Sequence, residues 1–148
     1  MPKTRIDRPD LSSRPHQLTC ERTMAQSPDL LFKAWTSEEF GRWFGAPGTV
    51  LISPEVDVPY FFEARFEGQR HPHYGRFLRL EPDRLVEMTW LTEQGTKGAE
   101  TVLTIELTPS GDGTLLRLTH AGFRDEESRD GHEEAWPGAL QLLDEVEW

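Results

Sequence analysis

The sequence predicts an α+β fold: a curved antiparallel sheet wrapped around a long C-terminal helix, with two short helices closing one end. Three observations predict it. In Gly131–Trp148, GHEEAWPGALQLLDEVEW, the residues Trp136, Ala139, Leu140, Leu143 and Val146 fall at helical spacing and share one face. Ahead of that stretch the chain alternates apolar and polar residues in segment after segment, the signature of half-buried strands. Turn residues at short intervals link those segments as hairpins, so the sheet is antiparallel, with one face available for cover.

The elements follow in order. Met1–His16 is rich in Pro, Arg and Ser, lacks periodicity, and reads as a flexible tail. Residues 17–148 are then a single domain. Gln17–Met24 alternates as a first strand, with Leu18, Cys20, Arg22 and Met24 on one side. Ser27-Pro28 starts a helix, Ser27 as N-cap and Pro28 at its first position; Leu31, Ala34 and Trp35 form its apolar face. Thr36-Ser37 restarts the chain, Glu38-Glu39 suit the first turn of a second short helix, and Phe40, Trp43 and Phe44 are its buried side. Gly45, Pro47 and Gly48 end it.

Val50–Ser53 reads as a strand, and Tyr60, Phe62, Ala64 and Phe66 alternate in the next. Gly68-Gln69 marks a turn, Tyr74–Leu80 another strand, and Glu81-Pro82-Asp83 a further turn. Arg84–Thr92 places Val86, Met88 and Trp90 on one face; Gln94–Gly98 is a loop. Thr101–Thr108 groups Leu103, Ile105 and Leu107, Ser110-Gly111-Asp112-Gly113 is a hairpin signal, and Thr114–His120 groups Leu116, Leu118 and His120. Gly122-Phe123 leaves the sheet. Pro137 removes a helical hydrogen bond, so the main helix is expected to begin near Trp136, after a turn or short helix through Glu133-Glu134.

Composition narrows the function. At 148 residues the chain can bury a real core, and 10% aromatics offset a hydrophobic share of 36%. A formal net charge of −10 repels phosphate backbones and anionic membrane surfaces, which excludes nucleic acid and lipid headgroups as partners. The acid crowds after Arg124 as a solvated face. Cys20 is the lone cysteine and reads as a small core residue, so no intrachain disulfide forms. With no signal peptide and no apolar run of membrane length, the reducing cytoplasm is the expected compartment. No P-loop, dinucleotide-binding Gly-rich turn, Gly-x-Ser-x-Gly or His-Glu-x-x-His occurs. No catalytic residue, metal ligand set or cofactor is assigned.

The run from Leu18 to the C-terminus resembles a known family. Arg22 followed by SPDLLFKAWTSEEFGRWFG carries the N-terminal likeness. Gly75-Arg76-Phe77 through Leu80, Pro82 and Arg84-Leu85-Val86 to Thr89-Trp90 carries the middle. Leu118-Thr119-His120-Ala121-Gly122-Phe123 carries a late turn, and His132, Trp136, Leu140 and Leu143 the last helix. Together they resemble the START-like, helix-grip superfamily (SRPBCC; birch-pollen-allergen-like), in the branch of activator of heat-shock-protein-90 ATPase homologues. Two places depart from it: Ala135 stands where a Gly usually precedes the helix Trp, and Asp57–Pro59 lacks a Gly pair. The resemblance implies an antiparallel sheet gripping the C-terminal helix with a cavity between them. Its members include co-chaperone domains, carriers of apolar molecules and cyclases.

The candidate cavity residues are Tyr60, Phe62, Met88, Trp90, Leu103, His120, His132, Trp136 and Leu140, chosen from strand parity and the helix stripe. His120 and His132 lie on otherwise apolar faces. They either contact a ligand or are hydrogen-bonded residues holding the helix to the last strand. His71-Pro72-His73 lacks a third ligand and reads as surface loop. The expected function is binding of a small apolar or amphipathic molecule between sheet and helix. A co-chaperone-like module stimulating a chaperone ATPase is the alternative, and a cyclase or hydrolase using the two histidines ranks last. A homodimer through an edge strand stays open.

Overall fold

The computed structural model describes residues 5–148; Met1–Thr4, the start of the expected tail, lie outside them. The strands are β1 (His16–Met24), β2 (Pro59–Phe66), β3 (Gln69–Glu81), β4 (Leu85–Thr92), β5 (Thr101–Ser110) and β6 (Gly113–Phe123). The helices are α1 (Pro28–Thr36), a 3₁₀ helix at Glu38–Arg42, and α2 (Glu126–Asp144). The six strands form one antiparallel sheet in the order β1-β6-β5-β4-β3-β2, so the first strand closes back beside the last. This is the α+β grip architecture that the patterning predicted.

The register explains the core. Leu18, His120, Leu103, Met88 and Phe77 pair in succession across β1, β6, β5, β4 and β3, one inward-facing row. All five are buried, and His120 is the single polar member. α2 lies over β1 and β6, while α1 lies over β4 and β5. Trp136, Leu140 and Leu143 are buried on α2, as its stripe requires.

Both ends of α2 are tied down. Asp125 caps the start, its Oδ1 accepting from the Ser128 amide at 2.9 Å. At the other end Asp144 Oδ1 accepts from the Ala25 amide at 2.8 Å, and Arg22 meets its other oxygen at 3.4 Å. Gln26 Nε2 donates to the carbonyls of Asp144 and Val146 at 3.2 and 3.0 Å. The helix C-terminus is therefore fastened to the β1–α1 junction.

Several expectations need correction. Val50–Ser53 is no strand; only a bridge between Leu51 and Phe61 forms there. β3 starts directly after the turn and includes His71-Pro72-His73, because Glu67 and Gly68, with φ of 51° and 75°, make a two-residue hairpin turn. α2 runs unbroken through Pro137. The missing amide frees the carbonyl of Glu133, an exposed residue, where water can take its place.

Residues following Thr4 do not hang free. Ile6 donates to Leu78 O at 2.8 Å. Arg14 donates to Gly122 O and Glu100 O, each at 2.8 Å. The Leu11 side chain covers Gly122, where an added Cβ would lie 2.8 Å from it. Low periodicity hid these contacts, which run through backbone carbonyls and one leucine.

Leu140 is fully buried, whereas Leu142, on the same helix, is 55% exposed. Leu140→Ala is expected to cost about 2–5 kcal/mol of unfolding free energy, by lost transfer energy and a residual cavity. Leu142→Ala is expected to stay within about 0.5 kcal/mol. Urea denaturation of the two variants checks the difference.

Candidate functional site

Most of the seam between sheet and α2 is filled. Phe62 stacks on His73, Phe44 meets Trp90 edge-on, and Trp136 leans on Trp35, Phe44 and Trp90. Such aromatic pairs bury large areas and leave little void. What stays open is a cleft of about 740 Å³ at one end of the seam. Its walls are the β2–β3 hairpin arms, the β4–β5 loop, Trp43-Phe44 and the cleft-facing side of α2.

Of the sequence-predicted site residues, Trp90, His132 and Trp136 line this cleft together. Tyr60, Phe62, Met88, Leu103, His120 and Leu140 do not; each is buried in the core. The physical reasons are specific. The Tyr60 hydroxyl is spent on Thr89 O at 2.6 Å, in a packed interior. Met88 and Leu103 sit mid-row under the helix, and Leu140 is the helix residue pressed onto the core. Parity tells which face a residue takes, not where along the seam the helix stops covering it.

His120 is the hydrogen-bonded anchor. The Trp136 Nε1–H donates to His120 Nδ1 at 3.1 Å, and His120 Nε2 meets Thr101 Oγ1 at 2.8 Å. The Thr101 hydroxyl hydrogen goes to Trp90 O. It follows that His120 carries its proton on Nε2 and donates it to Thr101, with Nδ1 bare for the indole. The ring is neutral and fully satisfied, and burial pushes its pKa well below the usual value.

His132 and His73 are built differently. In each, Nδ1 lies 2.8 Å from a backbone carbonyl, of Ser128 and of His71 respectively, and must donate to it. Each Nε2 is then an acceptor. Among the described residues neither Nε2 has a hydrogen-bond partner, and neither belongs to the buried atoms lacking one, so both reach accessible space. Both residues line the cleft. Burial is the main cause that lowers both pKa values, that of His73 to about 4. Gly95 lets the β4–β5 loop approach His132, since a Cβ there would come within 3.2 Å of its ring.

His73 is the residue that sequence reasoning missed, together with Trp43, Phe44 and Ser128. A signal for it existed: a two-residue turn at Glu67-Gly68 pairs inward Phe62 with His73. The rim carries the charges. Lys97 Nζ lies 2.9 Å from both Asp125 and Glu127, and Arg65 stands on the hairpin. The amide of Ser128 and then Lys97 hold the Asp125 carboxyl down at about 2. Cys20 is half-buried on β1, outside the cleft, and burial raises its thiol pKa, which leaves it a poor nucleophile. Among the described residues no group of three or more His, Cys, Asp or Glu could hold a metal ion.

A family model described as "Activator of Hsp90 ATPase homolog 1-like protein" matches residues 25–146. Among solved structures, the Mll3558 protein from Rhizobium loti is 30% identical with a TM-score of 0.74, over 87% of this chain and 94% of that one. Protein CV1439 from Chromobacterium violaceum is 23% identical with a TM-score of 0.77, over 89% and 97%. An Aha1 dimer from Colwellia psychrerythraea is 18% identical with a TM-score of 0.66, over 87% and 93%. No curated protein matches significantly.

The lowered histidine pKa values fix a pH dependence. An unfolded histidine takes up a proton near 6.5, whereas folded His73 resists until about 4. The unfolded state therefore binds more protons between those values, and stability falls as pH drops through that window. Each such histidine contributes a slope of at most about 1.4 kcal/mol per pH unit. Urea midpoints from pH 7.5 to 4.5 are expected to fall, and less steeply in His73→Phe. Equal slopes in the two proteins would contradict the assignment.

Proposed function

The chain belongs to the activator of Hsp90 ATPase homolog 1-like family, and from that premise we propose that it binds a small apolar or amphipathic molecule in the cleft beside α2. The observation that supports this is the lining: the rings of Trp43, Phe44, Trp90 and Trp136 gathered round an open volume of about 740 Å³. That size and mostly apolar character suit a small-molecule site. The binding place is the end of the seam, where α2 contributes the small residues Gly131, Ala135, Gly138 and Ala139 beside His132, Trp136 and Leu142. No described helix is long and apolar enough to cross a membrane, so membrane insertion of a helix plays no part in the reading.

The family description favours a second reading, a co-chaperone-like module that stimulates a heat-shock-protein-90-type ATPase. The exposed acidic residues of α2, Glu126, Glu127, Asp130, Glu133 and Glu134, offer a surface to a basic patch on such a partner.

Titration with the neutral dye Nile red, followed by indole N–H signals in NMR, tests the first reading. Saturable binding is expected to move Trp43, Trp90 and Trp136 and leave Trp148 unmoved. Ala135→Trp, at an exposed cleft position, is expected to weaken binding about tenfold or more with Tm unchanged. Absence of saturable shifts at those three indoles would remove the reading. For the second, the steady-state ATPase rate of a heat-shock-protein-90-type chaperone is expected to rise on adding the protein; an unchanged rate would dispose of it.

A further inference from the structure

We propose that the cleft takes an uncharged, hydroxyl- or N–H-bearing aromatic molecule, polar end first, with the Nε2 atoms of His73 and His132 accepting hydrogen bonds from that end. This rests on the ligand-binding reading above and specifies its chemistry.

The order of polarity along the cleft carries the inference. At the floor lie Trp90, Trp136, Ser128 and His73, all 6% exposed or less. At the rim lie Phe66 and Leu142, 66% and 55% exposed, beside charged Arg65, Lys97 and Glu127. The unmet hydrogen-bonding capacity is at the floor. His73 and His132 offer bare Nε2 atoms there, because backbone carbonyls fix the proton of each ring on Nδ1. Unsatisfied polar groups in an apolar setting are costly, so a matching ligand group gains from reaching them.

The same floor selects against charge. No carboxylate, ammonium or guanidinium lines it, since the charged lining residues all stand at the rim. Lys97, the cation nearest the α2 start, is already held by Asp125 and Glu127. A carboxylate head would meet two acceptor nitrogens and no counter-charge. An ammonium head would shed its water without an anion to replace it. A neutral O–H or N–H donates to imidazole at little desolvation cost. The apolar body then lies among the rings and leaves the cleft past Phe66 and Leu142. This is the reverse of a soap-like molecule bound with its head in water.

Three matched probes test it: 2-naphthol, naphthalene and 2-naphthoate, titrated into the full chain at pH 7.5 with indole N–H shifts as the readout. One good hydrogen bond is worth roughly a factor of ten. The expected result is 2-naphthol binding at least about tenfold tighter than naphthalene, with 2-naphthoate weakest. In His73→Phe combined with His132→Phe the naphthol advantage is expected to vanish while naphthalene affinity holds within about threefold. Equal binding of naphthol and naphthalene, tighter binding of naphthoate, or an advantage that survives the double substitution would each overturn the proposal while leaving ligand binding intact. Failure of all three probes to shift Trp43, Trp90 or Trp136 would overturn both. The wild-type ranking decides the matter even where the double variant does not fold.

Discussion

A chain of buried hydrogen bonds from Trp136 through His120 and Thr101 to the Trp90 carbonyl fixes how α2 sits on the sheet. Apolar packing alone would let a helix slide along a greasy surface at modest cost. A buried donor that loses its only acceptor costs about 1–3 kcal/mol, so these bonds select one position. That position in turn sets where the helix stops covering the sheet. The hydrophobic stripe supplies the attraction, and the histidine supplies the register. Both ends of α2 are then pinned by carboxylates, Asp125 on the Ser128 amide and Asp144 on the Ala25 amide.

The three interior histidines divide the work by tautomer. His120 keeps its proton on Nε2 and has every polar atom satisfied, so it belongs to the scaffold. His73 and His132 keep theirs on Nδ1 and turn a bare nitrogen to the cleft. Neighbouring backbone carbonyls make that difference, not distance from the site: the His120 and His132 rings are 4.9 Å apart. Residue type and position on a face therefore say little about role until the partners of both ring nitrogens are known.

Much of this was legible in the letters. Alternation in Leu103–Leu107 and Leu116–His120 gave the inward faces, and Ser110–Gly113 gave the hairpin at its true place. The stripe from Trp136 to Leu143 gave the gripped helix, and the ordinary role weighed for His120 is the one it has. The misses have physical causes. His-Pro-His reads as surface loop because it stands next to a turn and lacks a third ligand, yet it lies within β3, which starts right after the turn. Pro137 looked like a helix start because its cost was reckoned without the solvent beside Glu133. Most cavity candidates proved to be core, since the extent of helix cover depends on tertiary packing that local periodicity does not encode.

Gly131 and Gly138 stand on the cleft side of α2, and a Cβ added at either would meet nothing within 4 Å. Between Trp136 and Leu142 this wall is made of small residues, with the gripping Leu140 and Leu143 outside the cleft lining. Bulk can be added there residue by residue, narrowing or reshaping the space, without disturbing Leu140, Leu143 or the indole–imidazole contact. Apart from Trp136, which both walls the cleft and holds the helix, the side of α2 that shapes the open space is distinct from the side that grips the sheet.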